Sequence, residues 1–235
     1  MKKKPPPRRR LSQEDRRRVI IEQAIQVFAE QGFGAPTRVL AQRIGITQPL
    51  LFQHFASKDD LIQAVFAALF ERMSMRDWRT ALGDGDGDGD LRSRLIEFFM
   101  SYATTLYDYH WIRIYMFAGL EGGTFNRMYI GKLTEPLLRE IAAQIRRDRG
   151  LKRCSPADVT AREIELLWIL HGGLYYSAIR KQIYGMAIES VDVRPLIQYG
   201  VDSVLAGMGS LLDDLGKDGV RRPKSARSPL RAVED

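Results

Sequence analysis

Apolar residues recur at every third or fourth position along most of the chain, which is the spacing of one face of an α-helix. The pattern predicts a first helix between Ser12 and Gly32, a second between Thr37 and Gly45, and a third over 48–55. The remaining predicted helices run from Ser57 to Met73 and over about 91–108, 110–120, 125–148, 159–184 and 193–215. A chain with this pattern is expected to be all-α.

Small polar residues precede several of these helices, where a side-chain oxygen can accept a hydrogen bond from an unpaired backbone N–H. Ser12 is followed three residues later by Asp15, which is the spacing of a capping box. Thr37 and Thr47 are the predicted N-caps of the second and third helices. Pro49 is compatible with the third helix because it lies in the first turn, where backbone N–H groups have no intrahelical partner.

Residues 37–55 therefore read as a helix, a short turn containing glycine and a second short helix, which is the layout of a helix-turn-helix motif. Leu51 and Phe55 lie four residues apart and are expected to face the neighbouring helices. A helix of eight residues is about 12 Å long, comparable to the width of the DNA major groove. The positions left nearer the outer side are Gln48, Pro49, Leu50, Gln53 and His54.

The outward side chains suit contact with DNA. The amide of Gln48 can form two hydrogen bonds with an adenine edge, and an apolar side chain such as Leu50 can touch a thymine methyl group. Thr37 and Thr47 offer hydroxyls and helix N-terminal amides to phosphates. Lys58 offers a positive charge to a neighbouring phosphate.

The segments AIQVFAEQGF, TRVLAQRIGITQP, LLFQHF and SKDDLIQAVF carry a resemblance to a known family. Through them, residues 12–75 resemble the N-terminal domain of the TetR family of bacterial transcriptional regulators. The later segments fit the family's leucine–aromatic–x–His–Phe and Ser–Lys–acidic–x–Leu signatures. Phe52 stands where the family usually has a tyrosine, so a phenolic hydroxyl contact to phosphate is absent. The resemblance implies DNA contacts from Thr37, Arg38, Thr47, Gln48, Pro49, Leu50, Phe52, His54 and Lys58.

The last two predicted helices are apolar on more than one side. In the final helix one stripe is formed by Ile197, Val201, Val204, Met208, Leu211 and Leu215, and Leu205 and Leu212 broaden it. Such a helix must be covered on both sides, and a second copy of the chain is the economical partner. The resemblance agrees, since the family dimerises through a four-helix bundle, here from helices 159–184 and 193–215. Two recognition helices would then read a pseudo-palindromic site in major grooves about 34–36 Å apart.

Aromatic residues are concentrated in the middle helices, where an apolar pocket with a few polar groups is a common small-molecule site. The resemblance implies that an effector binds there and changes the separation of the DNA-binding heads. Few cationic side chains lie nearby, so a small hydrophobic or aromatic, uncharged effector is expected. The candidate effector-binding residues are Tyr102, Trp111, Tyr115, Trp168, His171 and Tyr175; packing of the protein core is the alternative role of each.

Positive charge is concentrated at the two ends of the chain. Residues 1–10 carry six positive charges and residues 217–235 carry a net +3, so that subtracting both from the total of +7 leaves −2 for residues 11–216. A proline-rich basic segment is expected to be disordered, and its role is either to seek phosphates or to keep the protein soluble.

The predicted organisation follows these changes in composition. Pro136 is expected to kink or divide the helix over 125–148. The predicted parts are a basic arm over 1–11, a helix-turn-helix domain over 12–75, a Gly/Asp linker region over 76–90, a helical effector-binding and dimerisation domain over 91–216, and a basic tail over 217–235. The fold class is thus all-α: a three-helix helix-turn-helix head joined by a fourth helix to a larger helical ligand-binding and dimerisation domain.

Signals for other classes of protein are weak. The chain has three histidines and no nucleotide-binding loop, G-x-S-x-G motif or Cys/His cluster, so neither an enzyme nor a metal or other cofactor is expected. Asp84, Asp86 and Asp88 match early positions of a calcium-binding EF-hand loop, but Leu95 occupies the place of the required glutamate. No membrane-spanning segment or signal peptide is predicted, and the lone Cys154 fits a reducing compartment. A DNA-binding regulator is expected to be cytoplasmic and nucleoid-associated.

The sequence therefore predicts a dimeric regulator of transcription that binds double-stranded DNA, and the resemblance implies that it is a repressor released by a small molecule. Two alternatives remain open at this stage. One is an architectural or effector-independent DNA-binding protein, which would leave a sequence-independent footprint. The other is a helical ligand-binding protein with a vestigial DNA-binding head, which would bind no DNA at low salt.

Overall fold

The structure is a computed structural model that describes residues 12–74, 82, 90–186 and 193–218. All regular structure in these ranges is helical, so the predicted all-α fold is confirmed. The α-helices are α1 (Gln13–Gln31), α2 (Thr37–Ile44), α3 (Gln48–His54), α4 (Lys58–Ser74), α5 (Leu91–Leu106), α6 (Tyr109–Leu120), α7 (Thr124–Tyr129), α8 (Glu135–Asp148), α9 (Ala161–Gln182) and α10 (Val193–Asp218). A π-helical turn (Ile130–Thr134) joins α7 to α8, and a 3₁₀ turn (Pro156–Asp158) precedes α9.

The first four helices form a small head around one apolar core. Ile20 and Phe28 of α1 and Leu40 of α2 have no exposed surface, and Leu51 of α3 is 1% exposed. Val65 of α4 closes the core from the other side and is also fully buried. Helix α1 packs against both α2 and α4, so it is the central support on which the helix-turn-helix is built.

Two of the predicted caps have the expected hydrogen bonds. The Ser12 hydroxyl accepts a bond from the backbone N–H of Asp15 at 3.0 Å, and the Thr47 hydroxyl accepts one from Leu50 at 3.3 Å. The prediction for Thr37 was wrong, because Pro36 is the N-cap of α2 and Thr37 is its first helical residue. The extended backbone of Pro36 lets its carbonyl start the helix, which leaves the Thr37 hydroxyl free to bond outside α2.

Two helix boundaries differ from those predicted, and capping side chains account for both differences. Helix α5 ends at Leu106 rather than near 108, because the Asp108 carboxylate accepts the N–H of Trp111 at 2.7 Å and so begins α6. Thr160 and Glu163 form a reciprocal capping box, which starts α9 two residues later than predicted.

Pro136 disturbs the helix over 124–148 as predicted. The N–H of Glu135 bonds the carbonyl of Ile130, five residues back instead of four, which defines the π-helical turn. Proline has no N–H and its ring collides with the carbonyl four residues before it, so an α-helix that continued through this point would be kinked or broken. The extra residue in the turn divides the helix into α7 and α8 while keeping the chain helical.

The head rests on α6 through contacts at the end of α1. The Arg113 guanidinium donates to the carbonyl of Ala29, and to that of Glu30 at 3.4 Å. Gly32 ends α1 with φ +72°, and a Cβ atom at this position would lie 3.0 Å from the Phe117 ring. Both its positive φ and this close approach therefore require glycine here.

A second contact between head and body is aromatic. The Phe33 ring meets the edge of Phe66 with centroids 5.4 Å apart, and Phe66 stacks on Phe125 of α7 at 4.6 Å. Phe33 and Phe125 are buried, so the head and the body share one continuous apolar core.

The body is built from α5 to α10. Helix α10 packs against α5 and α9, and the Arg92 guanidinium joins the Asp202 carboxylate at 2.5 and 2.9 Å. Between α8 and α9, Arg146 forms two hydrogen bonds with Glu163 at 2.6 and 2.7 Å. Glu163 is fully buried, and burial would raise its pKa, but the bonds from Arg146 and Thr160 outweigh this effect and lower the pKa below its usual value.

Several predictions concern residues outside the described ranges. The basic arm (1–11) lies outside them, as do the linker aspartates considered for calcium and the chain beyond Asp218. Of the predicted linker, Leu82 and Asp90 are described, and Asp90 caps α5 by accepting the N–H of Ser93 at 2.8 Å. Within the described ranges no helix has the length and apolar character needed to cross a membrane.

Candidate nucleic-acid interface and interior site

The turn between α2 and α3 is fixed by its glycine. Gly45 has φ +74° and ψ 32°, a left-handed conformation that glycine adopts without steric cost. The N–H of Gly45 bonds the carbonyl of Gln42 at 3.1 Å, and the N–H of Ile46 bonds that of Ala41 at 3.0 Å. These bonds satisfy two of the last four carbonyls of α2 and direct the chain into α3.

Helix α3 divides its side chains between the core and the solvent. Leu51 and Phe55 are 1% and 2% exposed, so the predicted inward pair is confirmed. The predicted DNA contacts lie on or beside the helix-turn-helix, and none of them belongs to the buried core. Arg38, Thr47, Gln48, Pro49 and Phe52 are exposed, while Thr37, Leu50, His54 and Lys58 are half-buried.

Two of the predicted contacts are joined directly. The Gln48 amide nitrogen donates to the Thr37 hydroxyl at 2.9 Å, which links the first residue of α3 to the first residue of α2. This bond uses one of the two N–H groups of the amide. The other N–H and the carbonyl oxygen of Gln48 remain available for a bidentate contact with a base edge.

The arginines of α2 differ in their freedom. Arg43 forms two hydrogen bonds with Glu30 at 2.5 and 2.8 Å, and these bonds hold the pKa of the Glu30 carboxylate below its usual value. Arg38 is exposed and forms no ion pair with any residue that the structure describes. Arg38 is therefore the α2 cation that is free to meet a phosphate.

The structure adds one residue that the sequence analysis missed. The Arg17 guanidinium of α1 donates to the carbonyl of His54 and lies 4.1 Å from the centroid of the Phe55 ring. In the sequence Arg17 stands between Arg16 and Arg18, and nothing in the pattern separates it from these neighbours. Only the docking of α3 against α1 singles it out.

The six residues predicted for effector binding form one aromatic cluster in the body. From the centroid of His171, the rings of Trp168, Tyr102 and Tyr175 lie at 4.9, 5.7 and 6.1 Å. Tyr175 meets the edge of Tyr115 at 5.6 Å. Trp111 completes the cluster by stacking on Tyr115 at 4.8 Å.

The cluster is electrically neutral near pH 7. Burial lowers the pKa of His171 to about 4 and raises that of the Tyr175 hydroxyl, so neither side chain carries a charge. Burial also raises the pKa of Tyr102, which lies near Tyr129 and Thr134. The Trp111 indole N–H is buried and has no acceptor among the described residues, so it is a donor available to a ligand.

The described residues offer no sign of a metal centre. Among them, no group of three or more His, Cys, Asp or Glu side chains is placed to hold a metal ion. The described residues form an open surface cleft of about 350 Å³ at the junction of α1, α3 and α4. It is lined by Arg17, His54, Phe55, Ala56, Asp60, Gln63 and Ala64.

Comparison with known proteins identifies the head. Residues 20–65 match the family described as bacterial regulatory proteins, tetR family. The match begins within α1 and ends within α4, so it includes the whole helix-turn-helix.

Solved structures of similar proteins extend the likeness to most of the chain. A putative TetR-family transcriptional regulator from Mesorhizobium loti is 14% identical, covers 86% of this chain and 98% of its own, and has a TM-score of 0.60. A TetR-like regulator from Rhodococcus sp. RHA1 is 19% identical with a TM-score of 0.59, covering 84% of this chain and 100% of its own. The fatty acid degradation regulator FadR from Bacillus halodurans is 18% identical with a TM-score of 0.58, and the match covers 87% of this chain and 97% of FadR. At these identities the similarity is one of fold.

The buried histidine of the aromatic cluster predicts a pH-dependent stability. In the unfolded chain His171 takes up a proton below about pH 6.5, but in the folded protein it does so only near pH 4. The free energy of unfolding should therefore fall as the pH is lowered through this window, and it should fall less in His171→Leu. Urea unfolding of both proteins between pH 7.5 and 4.5 measures the difference, and parallel curves would contradict the assignment.

Proposed function

We propose that the chain, whose residues 20–65 match the tetR family of bacterial regulatory proteins, represses transcription by binding a pseudo-palindromic DNA operator as a homodimer. An effector bound in the body would release it. Operator recognition is assigned to α3, with phosphate contacts from the starts of α2 and α4. A protein that acts on chromosomal DNA works in the cytoplasm, at the nucleoid.

The division of α3 between core and solvent carries the proposal. Leu51 and Phe55 fix the helix to the head, and Gln48, Pro49 and Phe52 are left exposed at its other side. The bond from Gln48 to Thr37 holds the amide at the start of the helix, which is the end that meets base edges in helix-turn-helix proteins. The surface thus combines a base-reading amide with apolar groups suited to thymine methyls.

Exposed apolar residues on α9 and α10 support the homodimer. Ile169 is 70% exposed, Tyr176 54% and Tyr199 73%, on helices whose opposite sides fill the core. Gly172 and Gly173 are exposed on the same stretch of α9, and a Cβ at either position would meet nothing within 4 Å. An apolar surface that includes glycines permits close approach of a second pair of helices.

The neutral aromatic cluster around His171 supports an uncharged effector. Its rings offer stacking surfaces, and the buried Trp111 N–H offers a donor to a carbonyl or ether oxygen. The cluster reaches the head through Tyr115, whose ring meets Phe125, the residue that stacks on Phe66. An effector can release DNA only if it binds more tightly to the head spacing that does not fit the operator.

Replacing the base-reading amide should relax sequence specificity. Gln48→Ala removes the amide that would bond an adenine edge, and the expected loss of discrimination is about 1–3 kcal/mol at one base pair of each half-site. Binding to the operator and to single-base variants should be measured by fluorescence anisotropy. Gln31→Ala, at the end of α1, is the matched control. Equal discrimination by the two variants would show that Gln48 does not read a base.

A charge placed on the exposed apolar face should separate the proposed dimer. Ile169→Glu would bury a carboxylate at the interface, so we expect sedimentation at micromolar concentration to shift from dimer to monomer. Leu120→Glu, on α6 where Leu120 is 81% exposed, is the control and should remain dimeric. A dimeric Ile169→Glu variant, or a monomeric wild-type protein, would contradict the assignment of this face.

Matched pairs of small aromatic molecules test the effector site. Aromatic amides should stabilise the protein against heat and release a bound operator, whereas the carboxylates of the same ring should not, because the six side chains of the neutral cluster offer no cation to pair with a buried charge. Thermal unfolding and anisotropy of a labelled operator measure the two effects. Stabilisation by the carboxylates alone, or by neither set, would contradict the proposed effector class.

A further inference from the structure

The end of the recognition helix needs support from outside the helix. Helix α3 has seven residues, Gln48–His54, and a helix this short is unstable in isolation. The N–H of Phe55 bonds the carbonyl of Leu51 at 3.1 Å, but the carbonyls that follow have no partner further along the helix. Unpaired carbonyls also carry the negative end of the helix dipole, which a cation stabilises.

Arg17 supplies this support from α1. Its guanidinium donates to the carbonyl of His54, the last residue of α3. The same group lies over the ring of Phe55, 4.1 Å from its centroid, and Phe55 is one of the two side chains that fix α3 to the head. One side chain therefore touches α3 by a hydrogen bond and by a cation–π contact.

The position of Arg17 leaves two roles open to it. The side chain is exposed at the edge of the cleft formed by α1, α3 and α4, beside the predicted DNA contact His54. It could extend to a phosphate, or it could keep its contacts with α3 while the DNA is bound. Both contacts hold the guanidinium at the end of α3, so extending the side chain to a phosphate away from this position would require giving them up.

We propose that Arg17 is a positioning residue for DNA recognition, which holds the C-terminal end of α3 in place and so sets sequence discrimination without contacting phosphate. The proposal rests on the DNA-binding function proposed above. It assigns a role in specificity to a residue of α1 that lies outside the helix-turn-helix. The guanidinium fulfils this role because it donates a hydrogen bond to the last carbonyl of α3 and covers the Phe55 ring at the same time.

The two contacts require arginine rather than any cation. A planar guanidinium can lie flat on an aromatic ring and donate from its edge to a carbonyl. A lysine ammonium is a compact, strongly hydrated charge without this plane. Arg17→Lys therefore keeps the charge and should lose the positioning, whereas a phosphate contact would largely survive the same change.

The test compares Arg17→Lys and Arg17→Gln with Arg18→Gln. Arg18 neighbours Arg17 and lies within 4.0 Å of Glu14 and 3.9 Å of Asp15 on its own helix, so its loss removes the same charge from α1 without touching α3. Affinity for the operator and for a scrambled duplex is measured for each protein over a range of salt concentrations. Thermal unfolding is measured alongside to show that the variants are folded.

Both Arg17 variants should lower the ratio of operator affinity to scrambled-duplex affinity by about fivefold. This factor corresponds to the free energy of an exposed cation–π contact. The slope of affinity against salt should stay close to that of the wild type, and Arg18→Gln should keep the wild-type ratio. If Arg17 instead contacts phosphate, Arg17→Lys will behave as wild type, and Arg17→Gln will weaken both duplexes equally and reduce the slope by about one. That result, or an unchanged ratio in both variants, would overturn the proposal.

Hydrogen exchange of the DNA-free protein separates this proposal from the proposed function. The backbone amides of Gln53, His54 and Phe55 should exchange about fivefold faster in Arg17→Lys and Arg17→Gln than in Arg18→Gln. Unchanged exchange would show that Arg17 does not hold the end of α3. If the wild-type protein binds no duplex and the Arg17 variants still exchange faster, DNA recognition is refuted but the contact between Arg17 and α3 is supported.

Discussion

The proposed recognition surface depends on the burial of Leu51 and Phe55 beneath α3. A helix of seven residues does not persist by itself, so its position is set by what it packs against rather than by its own hydrogen bonds. Full burial of two large apolar side chains contributes about 1.5–3 kcal/mol each. Because both anchors lie on one side, Gln48 and Phe52 are fixed on the exposed side. The proposed recognition therefore also depends on α1, since α1 is the helix against which the head packs and it carries Arg17.

Aromatic packing joins this head to the body. Phe66 of α4 lies between Phe33 of the head and Phe125 of α7, and Arg113 of α6 bonds the carbonyls at the end of α1. A close-packed core transmits displacement because it has few alternative arrangements. A shift of α6 or α7 would therefore move α1 and α4 as rigid supports of α3. In the proposed mechanism, the coupling free energy between effector and DNA would be limited by the difference in these contacts between the two states.

Periodicity and capping chemistry predicted most of the fold from sequence. The paired positions Leu51 and Phe55, the cap at Thr47 and the interruption at Pro136 each follow from a local rule, and each is present in the structure. Thr37 was assigned wrongly because a proline before it can begin a helix as well as a threonine can. Arg17 could not be found at all, because its proposed role depends on a contact between residues 37 positions apart.

The central claim is that α3 reads DNA sequence as one half of a dimer. Selection of bound duplexes from a random library by the full-length protein tests it most directly. The account predicts enrichment of an inverted repeat whose half-sites are centred about 10–10.5 base pairs apart, or a multiple of that spacing, as two-fold symmetry and successive major grooves require. Enrichment of an unrepeated site would contradict the dimer, and the absence of any enriched sequence would contradict recognition by α3.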